Sequence, residues 1–340
     1  MQKDDEKVET KNETLYTKEE VQILMKRRVE RTHKAFFRRY DVENLEGLDE
    51  IVKLGYKYKK LFLSDETFQN INNDYLLDEL VGLENVKNKI NRIACFILKN
   101  QSQKLRPSMN YVFIGNPGTG KTVVARALTK TFYEKGIICE NKLVEIDRSY
   151  LIGEYTGQTA PKVRKVFESA LGGVLFIDEA YLLQPSKEDV RDYCHEALMM
   201  LCKMMEDYRG KLVVIFAGYE KETLEMLKGN KGLKSRINSI IHFKNFTNDE
   251  LRNILKLHAS KYEYILDEDV ENKIVEILNF KRINPKFANA REIRNILEGI
   301  MEFHAARTID EPWDRTIIME DLIKWQIENK IVINSDIADA

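Results

Sequence analysis

The sequence predicts an α/β fold: a parallel sheet flanked by helices, then a small all-α unit, with a helical extension in front. Three observations predict it. Short apolar runs alternate with amphipathic segments between residues 111 and 243. A glycine-rich turn directly follows the first of these runs and opens a helical pattern. Beyond 243 the spacing of apolar residues is helical throughout.

Residues 1–75 form the extension. The first sixteen are polar, with little to bury, and read as disordered or frayed. Helical spacing starts near 18 and runs to 40 on Val21, Leu24, Met25, Val29 and Phe36, and a second stretch covers 48–63. The first helix has a basic face, with Lys26, Arg27, Arg28, Arg31, Lys34, Arg38 and Arg39. Such a face suits solvent, an acidic neighbour, or a nucleic-acid or partner-binding arm.

Residues 76–245 form the α/β unit. Its strands are expected at 111–114, 143–146, 174–177, 212–217 and 239–243, with helices at 121–135, 161–170, 188–208 and 221–226. Met199, Met200, Met204 and Met205 fall on the third helix at core-like spacing. No strand is expected after Phe243. Residues 246–340 form the helical unit. It opens on a capping box of Thr247 with Glu250 and a hydrophobic staple of Phe246 on Leu251. Helices are expected at about 248–262, 268–280, 288–307 and 319–330.

Charge and composition exclude some function classes. The 54 Lys+Arg against 55 Asp+Glu give a net charge of −1, so bulk charge drives neither nucleic-acid nor membrane binding. No run of about 18 apolar residues exists to span a membrane. The polar, acidic first residues are unlike a targeting peptide, so a cytoplasmic location is expected. Cys95, Cys139, Cys194 and Cys202 lack metal-site spacing, and they read as buried, reduced thiols. Cys194-His195 is the one hint of a ligand pair, and it lies inside a helical pattern.

The glycine-rich turn carries the chemistry. Gly115-Asn116-Pro117-Gly118-Thr119-Gly120-Lys121-Thr122 fits GxxxxGK[ST] between a strand and a helix, the context in which backbone N–H groups cradle phosphates. Lys121 is placed to reach the β- and γ-phosphates of ATP and Thr122 to hold Mg²⁺. About 55 residues on, the apolar strand at 174–177 ends in Asp178-Glu179. Asp178 would order the Mg²⁺ through its water shell, and Glu179 would polarise the attacking water. A transferase to another substrate has no need of that base, so hydrolysis is expected.

With these motifs the chain resembles the AAA+ ATPases, in the group of the red-type rubisco activase CbbX and stage V sporulation protein K. The resemblance spans about residues 76–305. It implies a five-stranded α/β domain, a helical lid and a hexameric ring. Leu80-Val81-Gly82-Leu83-Glu84-Asn85-Val86-Lys87 looks like the family segment that packs on adenine, which points to Val81 and Gly82. Residues 153–162 are similar to the pore-loop region, with Tyr155, Thr156 and Gly157 as the peptide grip. Arg236 matches the arginine finger, which acts on a neighbouring subunit's nucleotide. Arg291 matches the lid arginine called sensor 2, and Arg294, one turn away, could share that role. The fourth strand ends in Ala217-Gly218-Tyr219, where many relatives carry a small polar sensor 1 residue, so either Tyr219 or Glu220 substitutes or the role is weak here.

The function implied is a hexameric remodeller that pulls a client protein at its central pore. A DNA-dependent motor using the 26–39 face and a nucleotide-gated scaffold are the alternatives. The near-neutral charge and the aromatic loop speak against the DNA reading. Family activities include rubisco reactivation and spore development. The many Lys, Asn and Ile residues point toward an AT-rich genome and so toward the second.

Overall fold

The computed structural model describes residues 76–100, 107–153, 155, 157–185, 193–284, 287–310 and 314–331. It also gives the backbone of Lys7–Val8, paired antiparallel with Tyr16–Thr17. The expected helices at 18–40 and 48–63, the basic face and Thr156 lie outside the described residues.

Five strands build the central sheet: β1 Asn110–Gly115, β2 Leu143–Ile146, β3 Val174–Ile177, β4 Val213–Gly218 and β5 Ser239–Phe243. Their order is β2-β3-β4-β1-β5, and every neighbouring pair is parallel. Both faces are covered, which is why the strands read as continuous apolar runs. Successive side chains point to opposite faces. Tyr111 and Phe113 enter the core shared with the lid, while Val112 and Ile114 enter the core on the other side. Phe113 meets Phe243 with ring centroids 5.1 Å apart.

The helices of this domain are α1 Glu84–Asn100, α2 Lys121–Glu134, α3 Arg148–Leu151, α4 Thr159–Ser169, α5 Tyr193–Asp207, α6 Glu220–Gly229 and α7 Lys231–Lys234. Helix α1 buries Val86, Ile90, Ala94 and Ile97 at helical spacing. Cys95 sits on the opposite face and is exposed, which corrects the expectation that all four thiols are buried. Cys139 is half-buried, Cys194 and Cys202 are buried, and none is in a disulfide. On α5, Met204 and Met205 are core residues and Met200 is partly buried, but Met199 points outward. Four methionines in seven positions cannot all lie on one helix face.

The lid consists of α8 Asn248–Lys261, α9 Glu268–Lys281, α10 Ala290–Arg307 and α11 Met319–Glu328. The capping box forms as read: Glu250 N donates to Thr247 Oγ1 at 3.2 Å, and Thr247 N to Glu250 Oε2 at 2.7 Å. One expectation fails here. Two short parallel strands, β6 Ile265–Leu266 and β7 Thr316–Ile317, follow Phe243. A buried polar cluster holds β7 in place. Arg307 donates to Asp321 Oδ1 at 2.9 Å and to Thr316 O at 3.0 Å, and His304 Nε2 lies 3.1 Å from Asp314 O. Asp321 is fully buried, and removing one partner of such a pair costs about 3–5 kcal/mol. Among the described residues no helix is long and apolar enough to cross a membrane.

Candidate functional site

A parallel sheet delivers the ends of all its strands to one edge, and ligands bind there. At that edge β1 runs into the loop 115–120, β3 into Asp178-Glu179 and β4 into Tyr219. Thr119 is fully buried, and its Oγ1 donates to Asn116 O at 2.8 Å, which stiffens the loop. Lys121 opens α2, and its Nζ donates to Gly115 O at 2.8 Å and to Asn116 O at 2.9 Å. Burial lowers its pKa to about 8, against the pull of Asp178 and with the push of Arg291. The two charges that act on Lys121 are thus those of residues named above for the same site.

Glu179 is exposed and takes a left-handed backbone, φ 46°, at the head of a 3-10 turn over Ala180–Leu183. Its N–H donates to Asp178 Oδ1 at 2.9 Å, and Tyr181 Oη donates to Glu179 Oε1 at 3.3 Å. Tyr181 stacks on Tyr219 at 5.5 Å, and the Tyr219 ring centroid lies 5.9 Å from Lys121 Nζ. Burial and the Glu179 charge push the Tyr181 hydroxyl up to about 12, so it stays protonated and able to donate. Glu220 turns instead to His242, 3.4 Å away, so Tyr219 is the one of this pair that lies at the site.

The donor set suits Mg²⁺. One carboxylate, Asp178, and one hydroxyl, Thr122, would supply hard oxygen ligands, and such an ion would fill its remaining positions with water and phosphate oxygens. When bound, the ion would neutralise charge on the β- and γ-phosphates. The segment at 80–87 packs against the lid. Leu83 N donates to Glu250 Oε1 at 3.2 Å, and a Cβ on Gly82 (φ +62°) would fall 2.1 Å from that same oxygen. Val81 is partly buried beside this contact. Leu83 and Phe246 are the side chains nearest to Gly120. Glu250 therefore joins the segment named for adenine to the first turn of the lid, a second task beyond its capping box.

The lid also touches the phosphate loop. A Cβ on Gly118 (φ +66°) would fall 1.9 Å from Ala288 O and 2.9 Å from Arg291 N, so Gly118 admits the lid as well as a phosphate. Arg291 is exposed and acts on Lys121, whereas the charge of Arg294 acts on His258 and Tyr262. Arg236 is apart from this group. It lines a separate cleft of about 860 Å³ between α5, α6 and α7, where its Nη1 donates to Gly232 O at 3.0 Å and its Nε lies 3.7 Å from Glu206 Oε2. Tyr155 is two-thirds exposed on the turn before α4. Sequence reasoning missed Tyr181, Asn245, Asn289 and the second role of Glu250. Asn289 stands two residues before Arg291 and Tyr181 two after Glu179, whereas the contacts of Asn245 and the second bond of Glu250 are made at long range.

A strand, a phosphate loop, a following helix and an acidic strand end on one sheet edge define a P-loop ATPase. The model of the ATPase family associated with various cellular activities (AAA) matches residues 111–245, and that of the AAA lid domain matches residues 247–331. The chain is 39% identical over 239 residues to the chromosomal protein CbxX of Cupriavidus necator, covering 68% of this chain and 75% of that one. It is 38% identical over 265 residues to the chloroplastic ribulose bisphosphate carboxylase/oxygenase activase of Cyanidioschyzon merolae, covering 74% and 90%. Among solved structures, the FIGL-1 AAA domain in complex with ADP superposes with a TM-score of 0.58 at 18% identity, covering 84% and 94%, a likeness of fold alone. The chain belongs to the CbbX/CfxQ-like AAA+ ATPases and hydrolyses ATP.

The lowered pKa of Lys121 gives a pH dependence with a fixed sign. Phosphate oxygens favour the ammonium, so the complex binds the proton more tightly than the free site does. With Lys121 as a phosphate contact, ATP affinity is expected to fall as pH rises above about 8, by up to roughly tenfold per unit. Fluorescent-nucleotide titrations from pH 7 to pH 9.5 check this. A Kd that does not rise above pH 8 rules out Lys121 as the titrating contact.

Proposed function

We propose that this ATPase is a hexameric, cytoplasmic protein remodeller that grips a client polypeptide with Tyr155 at a central pore. The observation that carries the reading is the setting of Tyr155. The residue is exposed to 66%, and among the described residues nothing lies within 4 Å of a Cβ placed on Gly157. The base of the turn is nonetheless anchored. Gly153 N donates to Thr159 Oγ1 at 3.2 Å, and Gln158 N donates to Tyr155 O at 3.2 Å. An aromatic side chain on an anchored but open turn suits repeated contact with many peptide sequences. Thr156 and Gly157 belong to the same proposed grip.

The nucleotide roles follow from the same reading. Lys121 and the loop 115–122 hold the phosphates, Thr122 and Asp178 hold Mg²⁺, and Val81 and Gly82 face the base. Glu179 activates water, Arg291 senses the γ-phosphate from the lid, and Arg236 reaches the nucleotide of a neighbouring subunit. A relative that bears the name of a rubisco activase supports a protein client. Tyr155→Ala is expected to leave basal ATPase within about twofold of wild type and to abolish client remodelling, because the loop does work only against a substrate. A pull-down on the non-hydrolysing Glu179→Gln variant supplies the client for that assay. Full remodelling by the alanine variant sinks the threading model.

A further inference from the structure

Helix α10 starts from a residue with an unusual backbone. Asn289 is fully buried and sits at φ 48°, ψ −121°, which costs an L-residue steric strain and persists only where the surroundings enforce it. Its side chain shows what enforces it. Oδ1 accepts from Phe246 N at 3.2 Å, while Nδ2 donates to Pro117 O and to Asn245 Oδ1, both at 3.1 Å. Asn245 Oδ1 accepts a second bond, from Asn116 Nδ2 at 2.9 Å.

The backbone fixes how all three amides point. Phe246 N–H requires an oxygen of Asn289, and Pro117 C=O requires its nitrogen. Asn245 must then present its oxygen to that nitrogen, and Asn116 its nitrogen to that oxygen. The main chain adds one more tie, from Ala290 N to Gly118 O at 3.1 Å. Two carbonyls of the phosphate loop thus accept from the first residues of the lid helix, and Arg291 follows one position later.

We propose that Asn289 is a positioning residue for ATP hydrolysis: with Asn245 and Asn116 it clamps the start of α10 to the phosphate loop and keeps Arg291 within electrostatic reach of Lys121. The proposal rests on the reading of Arg291 as the lid arginine. Asn289 touches no reacting atom, and its effect on turnover runs through Arg291. The clamp spans three parts of the chain: the loop at Asn116 and Pro117, the interdomain link at Asn245 and Phe246, and the lid at Asn289. A lid that rotates away from the loop has to break it.

One aspartate substitution and a double variant separate this role from mere packing. Asn289→Asp keeps the shape and the acceptor for Phe246 N, but it loses both donations and faces two oxygens with a third. Steady-state kinetics with ATP on the whole chain are expected to show kcat about tenfold lower for Asn289→Asp. Because the route runs through Arg291, Asn289→Asp/Arg291→Ala should turn over within about twofold of Arg291→Ala alone. Thermal melts on every variant report folding alongside.

Wild-type kcat in Asn289→Asp, with or without a lower melting temperature, overturns the clamp. So does a double variant whose loss is the product of the two single losses. Wild-type turnover in Arg291→Ala marks the other failure, that of the lid-arginine reading, and it removes the clamp's route to catalysis. An impaired Arg291→Ala beside an unimpaired Asn289→Asp marks failure of the clamp alone.

Discussion

Glu179→Gln is expected to lower ATP turnover by about 10²- to 10⁴-fold, the range a general base contributes, while ATP binding stays near wild type. The two effects separate because of where Glu179 sits. Its backbone N–H is tied to Asp178 Oδ1, and its exposed side chain accepts a hydrogen bond from Tyr181 Oη at Oε1. Glutamine keeps an oxygen at that position and accepts the same bond. It tolerates the left-handed backbone as well as glutamate does, so the turn at Ala180–Leu183 keeps its shape. What disappears is basicity. The phosphate loop, Lys121 and Asp178 are untouched, so the nucleotide enters and stays. Single-turnover hydrolysis with labelled ATP measures the loss, and sizing with and without ATP shows whether the trapped nucleotide stabilises a ring. Turnover within tenfold of wild type would place the base on another residue.

The parts of this site legible in the sequence share one property: their chemistry lies in consecutive residues. The loop 115–122 and the Asp178-Glu179 strand end are read whole because strand, turn and helix follow one another without interruption. The five strands were legible for a related reason. Helices cover both faces of the sheet, so each strand is an apolar run with clear ends. Glu250 shows where this reading stops. Its capping box joins residues three apart and is visible as a pattern. Its bond to Leu83 N joins residues 167 apart, and no local spacing encodes it. Asn289 is the same case in stronger form, since its strained backbone and its bond to Pro117 O, 172 positions away, come from docking of the lid. Strands β6 and β7 have two residues each, too short for a period, and they owe their pairing to Arg307 and the groups around it.

Arg236→Ala is expected to leave nucleotide binding intact and to lower hydrolysis by about 10³- to 10⁵-fold, the effect of removing an arginine that stabilises charge on a transferring phosphoryl group. The geometry within one chain fits the proposed action on a neighbouring subunit. The charges that move the pKa of Lys121 are those of Asp178 and Arg291, whereas the charge of Arg236 is felt at Cys202. The guanidinium lies in the cleft between α5 and α7, held by one bond to Gly232 O and a 3.7 Å approach to Glu206. Among the described residues its buried Nε has no hydrogen-bond partner. A half-buried guanidinium held this loosely loses little when it swings out to a phosphate that can bond it at two points. Lysine offers a single point of charge and should not restore the rate. Mixing separates action between subunits from action within one. Arg236→Ala has a complete nucleotide site of its own, and Glu179→Gln has an intact arginine to lend. Rings formed from both should regain hydrolysis that neither variant shows alone. If the mixture stays as inactive as its components, Arg236 does not act across a subunit boundary, and an alanine variant with normal turnover removes it from the chemistry altogether.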